Sequence, residues 1–242
     1  MSVPKSHPRY VSLMIRETMV KGVKLGIASP HGLLAHGRGE AFDYLIGEKT
    51  THKAKLQIRK AAKLLVRAKH PVISVNGNAA SLCPNELVQL SKAIPAPLEV
   101  NIFHASKARE KKIAQWLKRH GANEVLLPGK GRIKFVQSNR KFCNENGISK
   151  ADVVFVPLED GDRCEALIRM GKNVISIDLN PVSRTARAAT INVQDNIMRA
   201  MPLLVKELKK LNKKSQPQQA AGYFLTSKCV PNRSKLLGMN PF

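Results

Sequence analysis

Short runs of β-branched residues alternate with amphipathic segments along most of this 242-residue chain. From residue 72 onward, five such runs are separated by stretches whose apolar residues recur at helical spacing. Continuous apolar strands between helices are typical of a parallel sheet that is covered on both faces. This alternation excludes an all-helical or all-β chain and predicts an α/β fold.

The predicted architecture is a Rossmann-like three-layer α/β/α sandwich with a mostly parallel sheet and an added N-terminal helical layer. Residues 1–211 are expected to form a single domain, with the N-terminal layer at about 1–70, and 212–242 a basic, flexible tail. Residues 128–149 lack periodicity and are expected to form a long loop. The predicted strands are 72–75, 98–102, 124–127, 152–156 and 173–179, and the predicted helices are 10–28, 53–69, 84–93, 105–120, 163–170 and 195–211, the last with Asp195 as N-cap.

The chain is strongly basic, with 41 Lys and Arg against 17 Asp and Glu. Residues 49–141 alone hold 20 basic and four acidic residues. Such an excess favours an anionic partner, namely a nucleotide, a phosphorylated substrate or a nucleic acid, although a solvated surface explains it equally well. Aromatic residues are only 5% of the chain, which argues against a base-stacking surface and makes a nucleic-acid-binding module the weaker alternative.

Several other classes of protein are disfavoured. No apolar run approaches the roughly 20 residues that span a bilayer, so no membrane association is predicted. The polar N-terminus has no apolar signal core, and a cytoplasmic protein is expected. The four cysteines, Cys83, Cys143, Cys164 and Cys229, are too far apart in sequence for a zinc site or a disulfide framework.

Polar residues follow four of the predicted strands. In an open α/β sheet, ligands bind beyond the carboxyl ends of the strands, so these residues are expected to line one site. Each taken alone is more often a helix N-cap or a turn residue. The residues are Asn76, Gly77 and Asn78 after the first strand, Asn101 in the second, the 159–163 segment with Asp160 and Arg163 after the fourth, and Asp178 to Asn180 after the fifth.

The sequence has neither a GxxxxGK[ST] loop nor a GxGxxG fingerprint after a strand. The Gly-rich 129–132 segment is expected to be an ordinary loop. Phosphate binding would then rely on helix N-termini and on arginines, whose guanidinium groups bind phosphate bidentately. The candidate arginines are Arg16, Arg38, Arg184 and Arg187.

The most unusual stretch is residues 32–47, in which two glycines bracket Arg38 and Glu40 follows. Glycine permits close approach of a ligand, so Arg38 is a candidate phosphate clamp, although a tight turn with a surface arginine is equally consistent. His36 is a candidate general acid or base or phosphate donor, against the alternative of a structural histidine.

The acidic residues at 159, 160 and 162 allow two interpretations. Carboxylates suit Mg²⁺, but the same residues suit the N-terminus of the following helix. The sequence alone does not choose between a metal site and helix capping.

Taken together, these stretches resemble the archaeal 4-phosphopantoate–β-alanine ligase family, also called phosphopantothenate synthetase. The resemblance runs from about residue 4 to 211, and its two longest segments are highly specific. The matching segments are PKSHPRY (4–10), LAHGRGEAFDYLIGE (34–48), VNGN (75–78), ADVV (151–154) with VPLEDGDR (156–163), and DLNP (178–181).

The resemblance implies a reaction of coenzyme A biosynthesis. ATP, (R)-4-phosphopantoate and β-alanine would give 4'-phosphopantothenate, AMP and diphosphate, through an acyl adenylate. It also implies a Rossmann-like homodimer, with Mg²⁺ expected beside ATP. By position, the implied ATP contacts are Arg16, Arg38, Asp178, Leu179, Asn180, Arg184, Thr185, Asn196 and Ile197.

The remaining roles are assigned from the chemistry of the residues. Arg38, with Arg16, would neutralise charge on the phosphates. His36, the second residue assigned as catalytic, would bind the phosphate of phosphopantoate. The candidate pantoate-site residues are Asn76, Gly77, Asn78, Asn101, Asp160 and Arg163.

Overall fold

A six-stranded parallel sheet forms the centre of the structure, a computed structural model that describes residues 3–215. The order across the sheet is β3-β2-β1-β6-β7-β8, so the direction of winding reverses between β1 and β6. In chain order the strands are β1 (Pro71–Val75), β2 (Leu98–Val100), β3 (Val125–Leu126), the small antiparallel pair β4 (Gly131–Arg132) and β5 (Phe142–Cys143), then β6 (Val153–Pro157), β7 (Asn173–Ile177) and β8 (Ile191–Val193).

Helices precede the sheet and connect its strands. In chain order the helices are α1 (Tyr10–Lys24), α2 (Pro30–Leu45), α3 (His52–Arg67), α4 (Gly77–Leu82), α5 (Pro84–Ala93), α6 (Lys107–Arg119), α7 (Gly161–Arg169), α8 (Arg184–Ala188) and α9 (Ile197–Ser215). Helices α3 and α6 each bury one apolar face, as their spacing predicts, whereas the one fully buried residue of α2 is Asp43.

Each face of the sheet has its own apolar core. Ile73, Phe155 and Ile175 point to one side, where α3, α5, α6 and α9 cover them. Their neighbours Val72 and Val154 point to the other side, against α7 and the 131–151 segment. Alternate residues of a strand point to opposite faces, so strands buried on both sides read as unbroken apolar runs. The predicted Rossmann-like sandwich is confirmed.

The N-terminal helices do not form one separate layer. Helix α1 packs on α4, and α2 contacts both of them. Helix α3 instead packs on α9 and β8, so it belongs to the sandwich itself. The division into a domain at 1–211 and a tail at 212–242 stays a prediction, since residues from 216 onward lie outside the described part of the chain. Residues 212–215 continue helix α9.

Most predicted elements are present with ends shifted by a few residues, but several expectations were wrong. Residues 30–45 are a continuous helix, so the alternative of a tight turn around Arg38 is wrong. Helix α4, which begins at Gly77 directly after β1, and strand β8 were not predicted. The expected loop at 128–149 contains β4, β5 and two short turns, at Asn139–Lys141 and Glu145–Ser149.

Two buried side chains of β2 and its carboxyl end hold the 128–149 segment against the sheet. Glu99 accepts hydrogen bonds from the backbone N–H of Asn144 (2.8 Å) and of Ile148 (2.6 Å). Asn101 donates to the carbonyl oxygen of Phe142 at 3.0 Å. The segment is tied down by these polar contacts, which a search for hydrophobic periodicity does not detect.

No helix within residues 3–215 is long and apolar enough to cross a membrane. Cys83, Cys143 and Cys164 are buried free thiols. The fourth cysteine lies outside the described residues.

Candidate active site

A cavity of about 600 Å³ opens at the carboxyl ends of the parallel strands, with α2 forming its opposite wall. Its position is the one expected for a ligand site in an open α/β sheet, at the point where the strand order reverses. Most of its wall consists of residues that follow β1, β2, β6, β7 and β8. Among the predicted residues, the lining includes His36, Arg38, Asn76, Gly77, Asn78, Asp160, Asp178, Leu179, Asn180, Asn196 and Ile197.

Asn76 joins the two strands at the reversal point. Its Oδ1 accepts from the N–H of Ala79 and caps α4, while its Nδ2 donates to the carbonyl oxygens of Pro157 and Leu158. Asn78 donates to the carbonyl oxygen of Gly32 at 2.8 Å and so ties α4 to α2. These amides shape the cavity, and the capping interpretation of Asn76 is confirmed.

Helix α2 carries the HGRGE segment along the cavity. Ser29 caps the helix by accepting from the N–H of Gly32, and Pro30 occupies its first turn. The two glycines around Arg38 are therefore helical. A Cβ on Gly37 would meet nothing within 4 Å, and one on Gly39 would lie 3.9 Å from Leu179. Of the two glycines, Gly39 lines the cavity beside Leu179, and its lack of a side chain leaves room there.

The guanidinium of Arg38 on α2 has no bonding partner among residues 3–215. It is exposed in the cavity and forms no ion pair or side-chain hydrogen bond with any residue in 3–215. Arg16, on α1, is different, because its Nε donates to both carboxylate oxygens of Glu40 at 3.0 Å. Arg16 does not line the cavity, although Glu40 does. Its implied contact with ATP stays a prediction.

His36 lies half-buried on α2. Burial lowers the pKa of His36, and the nearby carboxylates of Glu40 and Asp43 only partly oppose this effect. The imidazole is therefore neutral at pH 7 and has a lone pair that accepts a proton. This state suits a general base better than a cationic phosphate ligand.

The carboxyl end of β7 forms a tight polar turn. Asp178 accepts from the N–H of Asn180 at 2.9 Å and from the hydroxyl of Ser183 at 2.5 Å. Asn196, further along the same wall, accepts from the N–H of Met198 and is therefore the cap of α9. Asp195 had been expected there, but it binds Thr50, the Asn196 N–H and Arg199 instead.

The acidic group at 159–162 does not form a metal site. Glu159 is fully buried between two arginines, 2.7 Å from Arg140 and in contact with Arg163. Asp160 pairs with Arg140 at 2.5 Å. Within residues 3–215 no group of three or more His, Cys, Asp or Glu side chains is arranged to hold a metal ion. Glu159 and Asp160 are thus already neutralised by arginines, and Mg²⁺ stays a prediction.

Five predicted residues besides Arg16 do not line the cavity, and the candidate arginine Arg187 is one of them. Asn101 and Arg163 are buried, the first against Arg140 and the second against Glu159 and the Ser74 hydroxyl. Arg184 pairs with Glu165 on the surface, and the Thr185 hydroxyl donates to the carbonyl oxygen of Glu159. Arg163 and Asn101 are thus positioned to support the wall, and their assignment to direct substrate contact stays a prediction.

Sequence analysis missed a basic group at the other end of the cavity, formed by His31, His104 and Arg109. Arg109 lies in a helix rich in lysine and arginine, so nothing in its local sequence distinguishes it from a surface residue. Arg109 and Arg140 line the cavity, but many of the other lysines and arginines in residues 49–141 lie on the exposed outer faces of α3 and α6. That distribution is typical of a solvated surface.

The fold and cavity define the class of protein. A Rossmann-like sheet whose reversal point opens on a cavity with unpaired arginines is typical of an α/β enzyme acting on anionic, nucleotide-type substrates.

The comparisons with known proteins identify the family. The phosphopantothenate/pantothenate synthetase family model matches residues 53–227. The chain is 52% identical to the 4-phosphopantoate–β-alanine ligase of Thermococcus kodakarensis, over 84% of this chain and 79% of that protein. It is 48% identical to the ligase of the same name from Methanosarcina mazei, over 89% and 85%. The chain therefore belongs to the phosphopantothenate/pantothenate synthetase family.

Among solved structures, Sir2Af2 bound to a myristoylated histone peptide aligns with 65% of this chain and 98% of that chain. The identity is 12% and the TM-score is 0.43. At that score the alignment adds nothing to the strand order described above.

Proposed function

We propose that this chain is an ATP-dependent ligase that condenses (R)-4-phosphopantoate with β-alanine to give 4'-phosphopantothenate, AMP and diphosphate in coenzyme A biosynthesis. Family membership supports this activity, and the nucleic-acid alternative is not favoured. The observation that carries the proposal in the structure is the unpaired Arg38, which stands in one cavity with the Asp178–Asn180 turn. A nucleotide between them would meet a cation for its phosphates and polar groups for its ribose or base.

The proposed route has two bond-forming steps. A carboxylate oxygen of 4-phosphopantoate attacks the α-phosphorus of ATP, and the bond to diphosphate breaks to leave an acyl adenylate. The amine of β-alanine then attacks the acyl carbon, and AMP leaves with the electron pair of the broken C–O bond. Arg38 would stabilise the negative charge that builds on the phosphates in the first step. Much of the acceleration would come from holding the three substrates in line.

His36 is proposed as the proton acceptor of the second step. β-Alanine arrives as an ammonium ion, and its nitrogen becomes a nucleophile only after losing a proton. The neutral imidazole of His36 lines the same cavity as Arg38 and accepts that proton. ATP is the co-substrate that the family implies. Mg²⁺ stays a prediction, and no step is assigned to it.

We also propose that the chain forms a homodimer, as the sequence resemblance implies. The first two helices expose large apolar side chains, with Val11 at 62%, Leu34 at 71% and Leu45 at 81% exposure. Exposed apolar side chains mark an interaction surface when they form one patch, and we propose that those of the first two helices do so in the dimer. Light scattering behind size exclusion is expected to give twice the 26.7 kDa chain mass. Leu45→Glu should shift the protein toward the monomer.

The first test of the ligase is an end-point assay with ATP, 4-phosphopantoate and β-alanine that separates AMP from ADP. AMP formed only when all three are present is the expected result. ADP in place of AMP would keep the ligase but contradict the adenylate in favour of an acyl phosphate. Absence of nucleotide turnover from folded protein would overturn the proposed function.

A further inference from the structure

The cavity has a second basic end, away from the Asp178–Asn180 turn. His31 lies in the first turn of α2, His104 follows β2, and Arg109 lies in α6. The rings of His31 and His104 stack with their centroids 4.6 Å apart. The three side chains come from separate parts of the sequence and meet only through the fold.

Arg109 is a half-buried cation that no described carboxylate neutralises. Its Nε and Nη2 donate to the carbonyl oxygen of Ile27, and its Nη1 donates to that of His104. It forms no ion pair within residues 3–215, whereas Arg140 in the same cavity wall pairs with Glu159 and Asp160. Burial lowers the pKa of Arg109, and no neighbouring charge opposes the effect. An anion bound here would offset that unfavourable desolvation.

The guanidinium is held in place yet keeps donors for a ligand. Its five N–H groups make three hydrogen bonds in the structure, which leaves two for a phosphate group. Gly77 makes room for it, because a Cβ at that position would lie 2.7 Å from Nη2. A fixed guanidinium with free donors is a typical phosphate ligand.

The basic end also adjoins a second hollow of about 530 Å³, which it shares through Phe103 and His104. Ser138 lines that hollow, and its hydroxyl is buried without a hydrogen-bond partner in the described residues. Buried hydroxyls are normally satisfied, so an unpaired one beside a basic cluster points to a polar group that is supplied by a ligand.

The two ends of the cavity suit two phosphate-bearing substrates. β2 and β7 are three strand spacings apart across β1 and β6, which is about 14 Å. A nucleotide at the β7 end leaves the β2 end for the second substrate. Its phosphate would lie against Arg109, and its carboxylate would extend toward the nucleotide, near the ends of β1 and β6. The reacting groups then meet beneath His36 and Arg38.

We propose that Arg109, with His31 and His104, binds the phosphate of 4-phosphopantoate and thereby makes the site selective for phosphorylated over unphosphorylated pantoate. The proposal rests on the ligase activity proposed above. It assigns a specificity role to residues that lie apart from the implied ATP contacts.

The test compares Arg109→Ala with wild type, using 4-phosphopantoate and pantoate as alternative substrates. Losing charge-assisted hydrogen bonds should raise KM for 4-phosphopantoate about 10- to 100-fold. KM for ATP and turnover of pantoate should stay close to wild type, because neither involves this subsite. Arg119→Ala is the matched control, since it removes an exposed arginine from the last turn of the same helix.

Calorimetric titration of 4-phosphopantoate without ATP separates the subsite from the reaction. Binding to wild type and its loss in Arg109→Ala would support the subsite even if the assay showed no ligase activity. The proposal would be overturned if Arg109→Ala lost activity equally with 4-phosphopantoate and with pantoate, or if its KM for ATP rose. Should Arg109→Ala fail to fold, His104→Ala decides the matter, since His104 is exposed and a loss of selectivity is expected there too.

Discussion

The side-chain amide of Asn76 donates a hydrogen bond to the carbonyl oxygen of Leu158 at 2.7 Å. This bond joins the carboxyl ends of β1 and β6, the two strands between which the sheet reverses its winding. Leu158 has a backbone φ of +62°, which is unfavourable for a residue with a Cβ. The Asn76 amide therefore helps to hold a strained residue in the wall of the cavity.

Asn76→Ala should lower the free energy of unfolding by about 2 kcal/mol, because it removes a helix cap and two hydrogen bonds to buried carbonyls. Denaturant titration measures the change. Asn76→Asp retains the cap acceptor but places a carboxylate oxygen against the carbonyl oxygens of Pro157 and Leu158, so a loss at least as large is expected. Asn85→Ala removes an exposed asparagine from the first turn of α5 and is the control. Equal stability of Asn76→Ala and Asn85→Ala would contradict the bridging role.

The buried ion pairs of Glu159 predict that a substitution which removes its charge will strongly lower the stability of the fold. Glu159→Gln would leave the guanidinium groups of Arg140 and Arg163 buried with their charges poorly compensated. Breaking a buried pair in this way destabilises a protein by about 3–5 kcal/mol. Thermal and denaturant unfolding should both show the loss.

Glu165→Gln is the matched control for that network. Glu165 pairs with Arg184 on the surface, where both side chains are largely exposed. Surface pairs of this kind contribute little, so its unfolding curve should nearly overlay that of wild type. Similar losses of stability in Glu159→Gln and Glu165→Gln would mean that burial does not determine how much these ion pairs contribute to stability.

The buried carboxyl of Glu99 predicts a pH dependence of stability. Burial raises the pKa of Glu99 to about 7, although the N–H groups of Ile148 and Asn144 oppose the shift. Between about pH 4.5 and 7 the folded chain holds a proton that the unfolded chain releases. The free energy of unfolding should therefore fall as pH rises through this window, by up to about 3 kcal/mol.

Glu99→Gln removes the titrating group and should flatten the stability profile between pH 4.5 and 7. Glu124→Gln, at an exposed position, should keep the slope of wild type. Urea unfolding at intervals of half a pH unit checks both variants. An unchanged slope in Glu99→Gln would assign the pH dependence to a different group.

Arg38→Ala should reduce kcat/KM by about 100-fold or more while the protein stays folded, because a charge that stabilises the transition state is lost. Arg38 makes no ion pair within residues 3–215, so stability should not change. Steady-state kinetics with circular dichroism measure both properties. Arg59→Ala, on the exposed face of α3, is the control. Near-normal turnover in Arg38→Ala would remove Arg38 from the mechanism.

The polar residues after the strands show which features of the site could be predicted from the sequence. Their presence at one edge of the sheet follows from a general property of parallel sheets, and most of those predicted do line the cavity. Whether each is a cap, an ion-pair partner or a free group depends on neighbours far away in sequence. Glu159 looked like a metal ligand because Arg140, 19 positions earlier, could not be placed beside it.

The sequence by itself determined the alternation of strands and helices, the two-sided burial of the strands and the edge of the sheet where the site lies. These properties depend on local periodicity and on the β-branched runs, which each segment carries independently of the others. Tertiary structure decided the strand order, the continuous helix through the glycines of α2, and the meeting of His31, His104 and Arg109. The physical reason is that these features arise from long-range packing and from the pairing of buried charges, and no local pattern in the chain encodes which distant residue will be the partner.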